Sequence, residues 1–148
     1  MRTTIEPTCA TSLHRLRVRF CETDMMGIVH HSSYLAYFEA ARVAWLRRRG
    51  VTYATWAERG WHLPVVEASV RYRAPARFED VLEIETVLTE LRSHSLRYSY
   101  RVLRGEECLT EGQTRLACVD SAHQLQRFPE EVVDVLCSGE TQPDQDGV

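Results

Sequence analysis

The residues best suited to chemistry lie in one run, Asp24-Met25-Met26-Gly27-Ile28-Val29-His30-His31-Ser32-Ser33-Tyr34. A carboxylate, a glycine corner and two imidazoles stand directly before an amphipathic segment, so an acid and the free N–H groups of a helix start converge on one point. That pairing suits acyl chemistry. A base or nucleophile approaches one side of a trigonal carbon while donors hold the oxygen as it becomes negative. A helix N-terminus supplies those donors without a cation. On local chemistry alone, Asp24 fits an ordinary turn as well as a catalyst, and His31 fits a helix-start residue bonded to the backbone. Cys21, Asp24, His30 and His31 are all metal-ligand types, but their spacing matches no familiar site, and no metal is expected. Ser32 and Ser33 have no triad-like motif around them and read as helix caps.

These residues need elements to position them. Leu16, Val18 and Phe20 alternate with Arg15, Arg17 and Arg19, the period of a strand with one buried face. The spacing of Tyr34, Leu35, Phe38, Ala41, Trp45 and Leu46 predicts a helix over residues 32 to 49, with Arg47, Arg48 and Arg49 in its last turn and Gly50 as C-cap. Glu39 and Arg42, three apart on it, read as a surface or interface pair ahead of a catalytic role. A short helical piece is expected from Thr52 to Arg59, and period-2 alternation predicts a strand over 63 to 74 with Val66, Ala68, Val70 and Tyr72 inward. Three more strands follow around 82 to 86, 96 to 102 and 108 to 119, joined by turns short enough to make antiparallel neighbours. Pro129 opens a short closing helix. Residues 1 to 12 read as a mobile lead-in and 138 to 148 as a polar, disordered tail.

One helix with so broad an apolar face has to be covered by the sheet. The expected domain is therefore α+β, a curved five-stranded antiparallel sheet around one long central helix, spanning 1–148 as a single unit. Such a sheet leaves edges, which predicts a partner chain of the same kind.

Composition narrows the function classes. The 44% apolar and 26% charged residues match a soluble globular chain, and a net charge of −3 excludes a polyanion partner such as nucleic acid. Five cysteines without C-x-x-C spacing suit a reducing cytoplasm and neither a disulfide framework nor a zinc knuckle. No window approaches a membrane span, and the first residues lack the apolar run of a signal peptide. Arg71, Arg73 and Arg77 gather near the end of the second strand, where guanidinium forks suit phosphates; a solvated strand face accounts for them equally.

Three stretches carry a family resemblance: Thr23 to Leu35, then Glu39-Ala40-Ala41-Arg42, then Tyr72-Arg73-Ala74-Pro75-Ala76-Arg77-Phe78-Glu79-Asp80. Over roughly residues 14 to 121 the chain resembles the hotdog-fold 4-hydroxybenzoyl-CoA thioesterase family and, within it, the acyl-CoA thioesterases associated with the Tol-Pal cluster. The resemblance implies a hydrolase of short, medium or aromatic acyl-CoA, needing no cofactor, assembled as a homodimer or homotetramer with its sites at the subunit interface. It implies Asp24 as the catalytic acid or nucleophile, the backbone N–H of His31 as the oxyanion donor and the His31 imidazole as an orienting group. Gly27, His30, Tyr34, Arg73 and Arg77 are the implied substrate-binding residues. Phe20, Glu22, His30 and Ser33 stand where relatives often carry tyrosine, aspartate, an aromatic residue and asparagine. An acyl-carrier-protein thioesterase and a non-catalytic acyl-CoA-binding module are the competing readings.

Overall fold

The elements follow the expected order, described in a computed structural model over residues 2–3 and 7–142. Strand β1 is Arg2–Thr3, helix α1 Pro7–Ala10 and strand β2 Thr11–Arg17; a tight turn at Phe20–Glu22 leads to the long helix α2, Ser33–Arg47. Helix α3, Tyr53–Glu58, precedes β3 (Val65–Tyr72), β4 (Val81–Arg92), β5 (Ser95–Arg104) and β6 (Glu107–Ala117), and α4 closes at Glu130–Leu136. Five long strands form one antiparallel sheet in the order β2-β4-β5-β6-β3, and the two-residue β1 pairs along the same strand, β4, as β2. This is the hotdog arrangement. No helix among the described residues is long and apolar enough to cross a membrane.

Alternation explains how the sheet holds α2. Leu82, Ile84 and Leu88 of β4 and Leu96, Tyr98, Tyr100 and Val102 of β5 are buried on one face. They meet the helix through its large rings: Phe38 stacks on Tyr100 with centroids 4.3 Å apart, and Trp45 meets Tyr98 edge-on at 5.2 Å. Burying a side chain such as Phe38 contributes roughly 2–3 kcal/mol. Phe38 fits because β6 carries Gly112, whose missing side chain would otherwise lie 2.4 Å from the Phe38 ring.

Four expectations change. Tyr37 is buried while Leu35 is 46% exposed, so the helix turns its apolar face further round than the spacing suggested. β2 ends at Arg17; Val18 is buried, but Phe20 lies in the following turn and packs edge-on against Phe78 at the surface. β3 alternates in sequence without alternating in burial: Val66 and Tyr72 are 47% and 49% exposed, because this strand forms an edge that α2 does not cover. The lead-in is ordered from residue 7, where the Ala10 carbonyl accepts the Trp45 indole N–H at 2.8 Å and Ser12 is buried against Arg49. The rest of that expectation, residues 1 and 4–6, lies outside the described residues, as does the tail over 143–148. Before it, the N–H groups of Thr141 and Gln142 donate to the Arg48 carbonyl at the end of α2.

Candidate active site

The aspartate sits on a loop that its own short-range bonds close. Thr23 bridges to Val29, the Asp24 N–H donates to the Ile28 carbonyl at 2.9 Å, and the Gly27 N–H returns to the Asp24 carbonyl at 3.0 Å. Gly27 holds φ at +78°, a conformation that side chains on other residues resist. Asp24 Oδ1 accepts the Met26 N–H at 2.8 Å, and Oδ2 has no partner among the described residues. The loop thus fixes the carboxylate by one oxygen and leaves the other available.

Glu22 ties this loop to α2. Its carboxylate accepts the Arg19 N–H at 2.8 Å and the Tyr37 hydroxyl at 3.0 Å, while its carbonyl accepts the His30 N–H at 2.8 Å and the Ser33 hydroxyl at 3.2 Å. Burial, reinforced by that carboxylate, pushes the Tyr37 phenol well up, so it stays a donor. Burial likewise raises Tyr34.

The helix start is dressed by histidine, which corrects the expected serine cap. Neither serine caps the helix; instead His30 Nδ1 accepts the Ser32 N–H at 3.1 Å. The Ser32 hydroxyl lies 2.8 Å from the same nitrogen. The His30 ring lies 4.0 Å from the His31 ring. The His31 carbonyl accepts the Tyr72 hydroxyl at 2.8 Å, and its N–H has no partner among the described residues.

A cavity of about 360 Å³ brings Asp24, His31, Tyr34, Tyr72 and Arg73 together. The other expected residues lie off its wall. Gly27 makes the corner, His30 supports the helix start, and Arg77 is an exposed neighbour whose backbone bridges to Ile28. Arg71 opens instead onto a separate hollow beside Ser69 and Arg101. Cys21, Asp24, His30 and His31 do not gather as a metal-binding group. Two residues escaped the sequence reading. Tyr72 read as a strand position and as the first residue of a family stretch, and nothing in its period marks its bond to His31; the Arg19-x-x-Glu22 spacing is a local signal for the Glu22 anchor. An unpaired carboxylate oxygen and an unpaired helix-start N–H on adjoining segments are the two groups an acyl carbon and its oxygen require.

Comparison with known proteins accords with that chemistry. Residues 18–136 match the thioesterase-like superfamily. Over 128 residues the chain is 38% identical to the acyl-CoA thioester hydrolase YbgC of Escherichia coli, covering 83% of this chain and 95% of the other. Its structure is similar to that of the hypothetical protein TT1821 from Thermus thermophilus, with a TM-score of 0.81, 46% identity and coverage of 84% and 96% of the two chains. It is also similar to the DHNA-CoA thioesterase from Staphylococcus aureus, with a TM-score of 0.79, 25% identity and coverage of 84% and 85%.

Proposed function

The chain belongs to the thioesterase-like superfamily, and from that premise we propose that it hydrolyses acyl-CoA thioesters with Asp24 and the N–H of His31. The observation that carries the reading is the open Asp24 Oδ2 and the unpartnered His31 N–H at the same cavity. Asp24 takes a proton from water as the hydroxide adds to the thioester carbon, or adds to that carbon itself to form an anhydride that water then opens. In both courses the carbonyl oxygen becomes negative against the His31 N–H, the C–S bond breaks, and the products are the free acid and the CoA thiol. The His31 imidazole orients the carbonyl or the water. Tyr34 and His30 shape the acyl side, and Arg73 and Arg77 meet the phosphates of CoA. The Asp24-to-Tyr34 spacing further supports a place in the 4-hydroxybenzoyl-CoA thioesterase family, near its Tol-Pal-associated members. Short, medium and aromatic acyl groups are the substrate range, and five free thiols suit a reducing cytoplasm.

A panel of acyl-CoA esters with detection of released thiol tests the activity. Turnover of at least one ester is expected; tight binding without release from any CoA or carrier-protein ester overturns it. Tyr72→Phe removes the hydroxyl that holds the His31 carbonyl. A neutral hydrogen bond of this kind is worth about 1 kcal/mol, so a roughly fivefold fall in kcat is expected in steady-state assays.

A homodimer, or a tetramer built from it, completes the reading. The free edge of β3 adjoins an exposed helix stripe, Leu35, Glu39 and Val43, and both are too apolar to face water alone, with Val65, Val66 and Leu35 each more than 40% exposed. Sedimentation of the wild type should give at least a dimer, and Leu35→Arg with Val43→Arg should reduce it to monomers with loss of activity. A fully active wild-type monomer would contradict this assembly.

A further inference from the structure

Beside the Asp24 loop stand rings that the fold does not bury. Phe20 is 75% exposed and Phe78 49%, and they meet edge to face with centroids 5.6 Å apart; Met25 and Met26, on the adjoining loop, are more exposed still. Local bonds hold both rings in place. The Phe20 carbonyl accepts the Thr23 N–H at 3.1 Å and the Thr23 hydroxyl at 2.7 Å. The turn that displays Phe78 is closed by Asp80, whose Oδ2 accepts the Arg77 N–H and Arg104 Nη1, each at 2.8 Å. Fixed apolar surface in water is unfavourable, and a contiguous exposed cluster of it marks a binding surface.

Its place in the fold narrows what it binds. The patch continues the β2 and β4 end of the sheet, where the Val18 N–H donates to the Asp80 carbonyl and the Glu79 N–H to the Val18 carbonyl. β2 and the free β3 edge stand at opposite ends of the strand order, so the dimer face proposed above does not cover these rings. The Asp24 cavity is nearer. The Asp24 N–H reaches Ile28, which lines that cavity, and the Ile28 backbone bridges to Arg77; two pairings of about 5 Å each thus separate the aspartate from the residue before Phe78. An extended pantetheine arm spans that interval from a thioester at Asp24. The Arg77 guanidinium has no partner among the described residues. Of the acids nearby, Glu22 is paired with Arg19 and Asp80 with Arg104, which leaves Arg17 and Arg77 against Glu79. The path out of the cavity therefore meets a cation suited to phosphate and then a fixed aromatic surface. Two rings and two thioethers present roughly a few hundred Å², well short of the about 800 Å² per partner of a stable protein interface but ample for one purine. Resting on the thioesterase reading above, we propose that Phe20 and Phe78 form the platform on which the adenine of coenzyme A stacks.

Octanoyl-CoA and octanoyl-pantetheine, which lacks the nucleotide, test this with wild type, the double variant Phe20→Ala with Phe78→Ala, and Phe78→Trp. The wild type should show the higher kcat/KM with octanoyl-CoA, and the ratio of the two efficiencies should fall at least about tenfold in the double variant, the usual loss when a base is deprived of its stacking ring. Phe78→Trp keeps a stacking face and should keep the ratio. The ratio is the readout because loss of folded protein lowers both rates together and leaves it unchanged. Equal efficiencies in the wild type, or a ratio that survives the double substitution, overturn the proposal; a double variant altered only in sedimentation would assign the rings to a second copy instead. Calorimetric binding of coenzyme A itself to wild type and double variant separates the platform from the hydrolase reading. Ring-dependent affinity in a wild type that releases no thiol would retain the platform and remove the hydrolase; equal affinity in the two proteins would remove the platform whether or not turnover occurs.

Discussion

Asp24→Asn lowers kcat by about 10³-fold or more and leaves KM within a factor of about three, the pattern of a group that acts in the transition state and contributes little to ground-state binding. The substitution is a clean one because of how the loop is built. Asparagine keeps an oxygen to accept the Met26 N–H, and the backbone bonds from Asp24 to Ile28 and from Gly27 to Asp24 do not involve the side chain. What disappears is the basic second oxygen of Asp24, the one acidic residue among the described residues that line the cavity with His31 and Tyr34. Asp24→Ala would add a second effect, leaving the Met26 N–H unpaired and costing about 1 kcal/mol of loop stability. Steady-state thiol release beside a thermal melt distinguishes the two: Asn should lose rate at nearly constant stability, Ala should lose both.

Gly112→Ala is the largest expected stability change. The new methyl carbon would stand 2.4 Å and 2.6 Å from two atoms of the Phe38 ring and 2.9 Å from the Ser69 carbonyl oxygen. Neither obstacle yields easily. Phe38 is stacked nearly parallel on Tyr100, with 10° between the rings, and the Ser69 oxygen belongs to the backbone of β3. Overpacking of this kind costs typically 1–3 kcal/mol and here should lie at the upper end, lowering Tm by roughly 10 °C in a chain of this size. Displacement of β3 would also draw Tyr72 away from His31, so activity should fall with stability. Phe38→Leu in the same chain removes the ring in the way and should recover part of the lost Tm; no recovery would show that the strand, not the ring, sets the limit.

The long helix and the antiparallel strands were legible in the sequence because period is a direct consequence of which face is buried. The exceptions are instructive. β3 keeps the period of a half-buried strand while no helix among the described residues covers it; the second subunit proposed above would bury that face. Phe20 continued the alternation of β2 past its end, where the Glu22 anchor bends the chain into a turn. Gly112 carried no signal at all: the need for a missing side chain arises only when β6 passes over Phe38, a contact 74 positions apart in sequence.

The site was partly legible for the same reason. Asp24, Gly27, His30 and His31 are neighbours in sequence, so their joint geometry is local, and a turn before a helix is readable from residue types. Tyr34 and Arg73 meet Asp24 through the fold, and the family resemblance supplied them. Tyr72 bonds His31 across 41 positions, and one of the bonds of Glu22, to Tyr37, spans 15; spacing does not encode bonds of that range. Even the cap was reassigned, because both serine hydroxyls are engaged elsewhere, Ser32 with His30 Nδ1 and Ser33 with the Glu22 carbonyl.

The most direct measurement takes one preparation of wild type and one of Asp24→Asn and follows, for the same acyl-CoA ester, thiol release by the first and calorimetric binding to both. Expected is stoichiometric release of free CoA and free acid by the wild type, and unimpaired binding with almost no release by Asp24→Asn. Equal release by the two proteins would contradict the role of Asp24, and binding to both with release by neither would contradict hydrolysis itself.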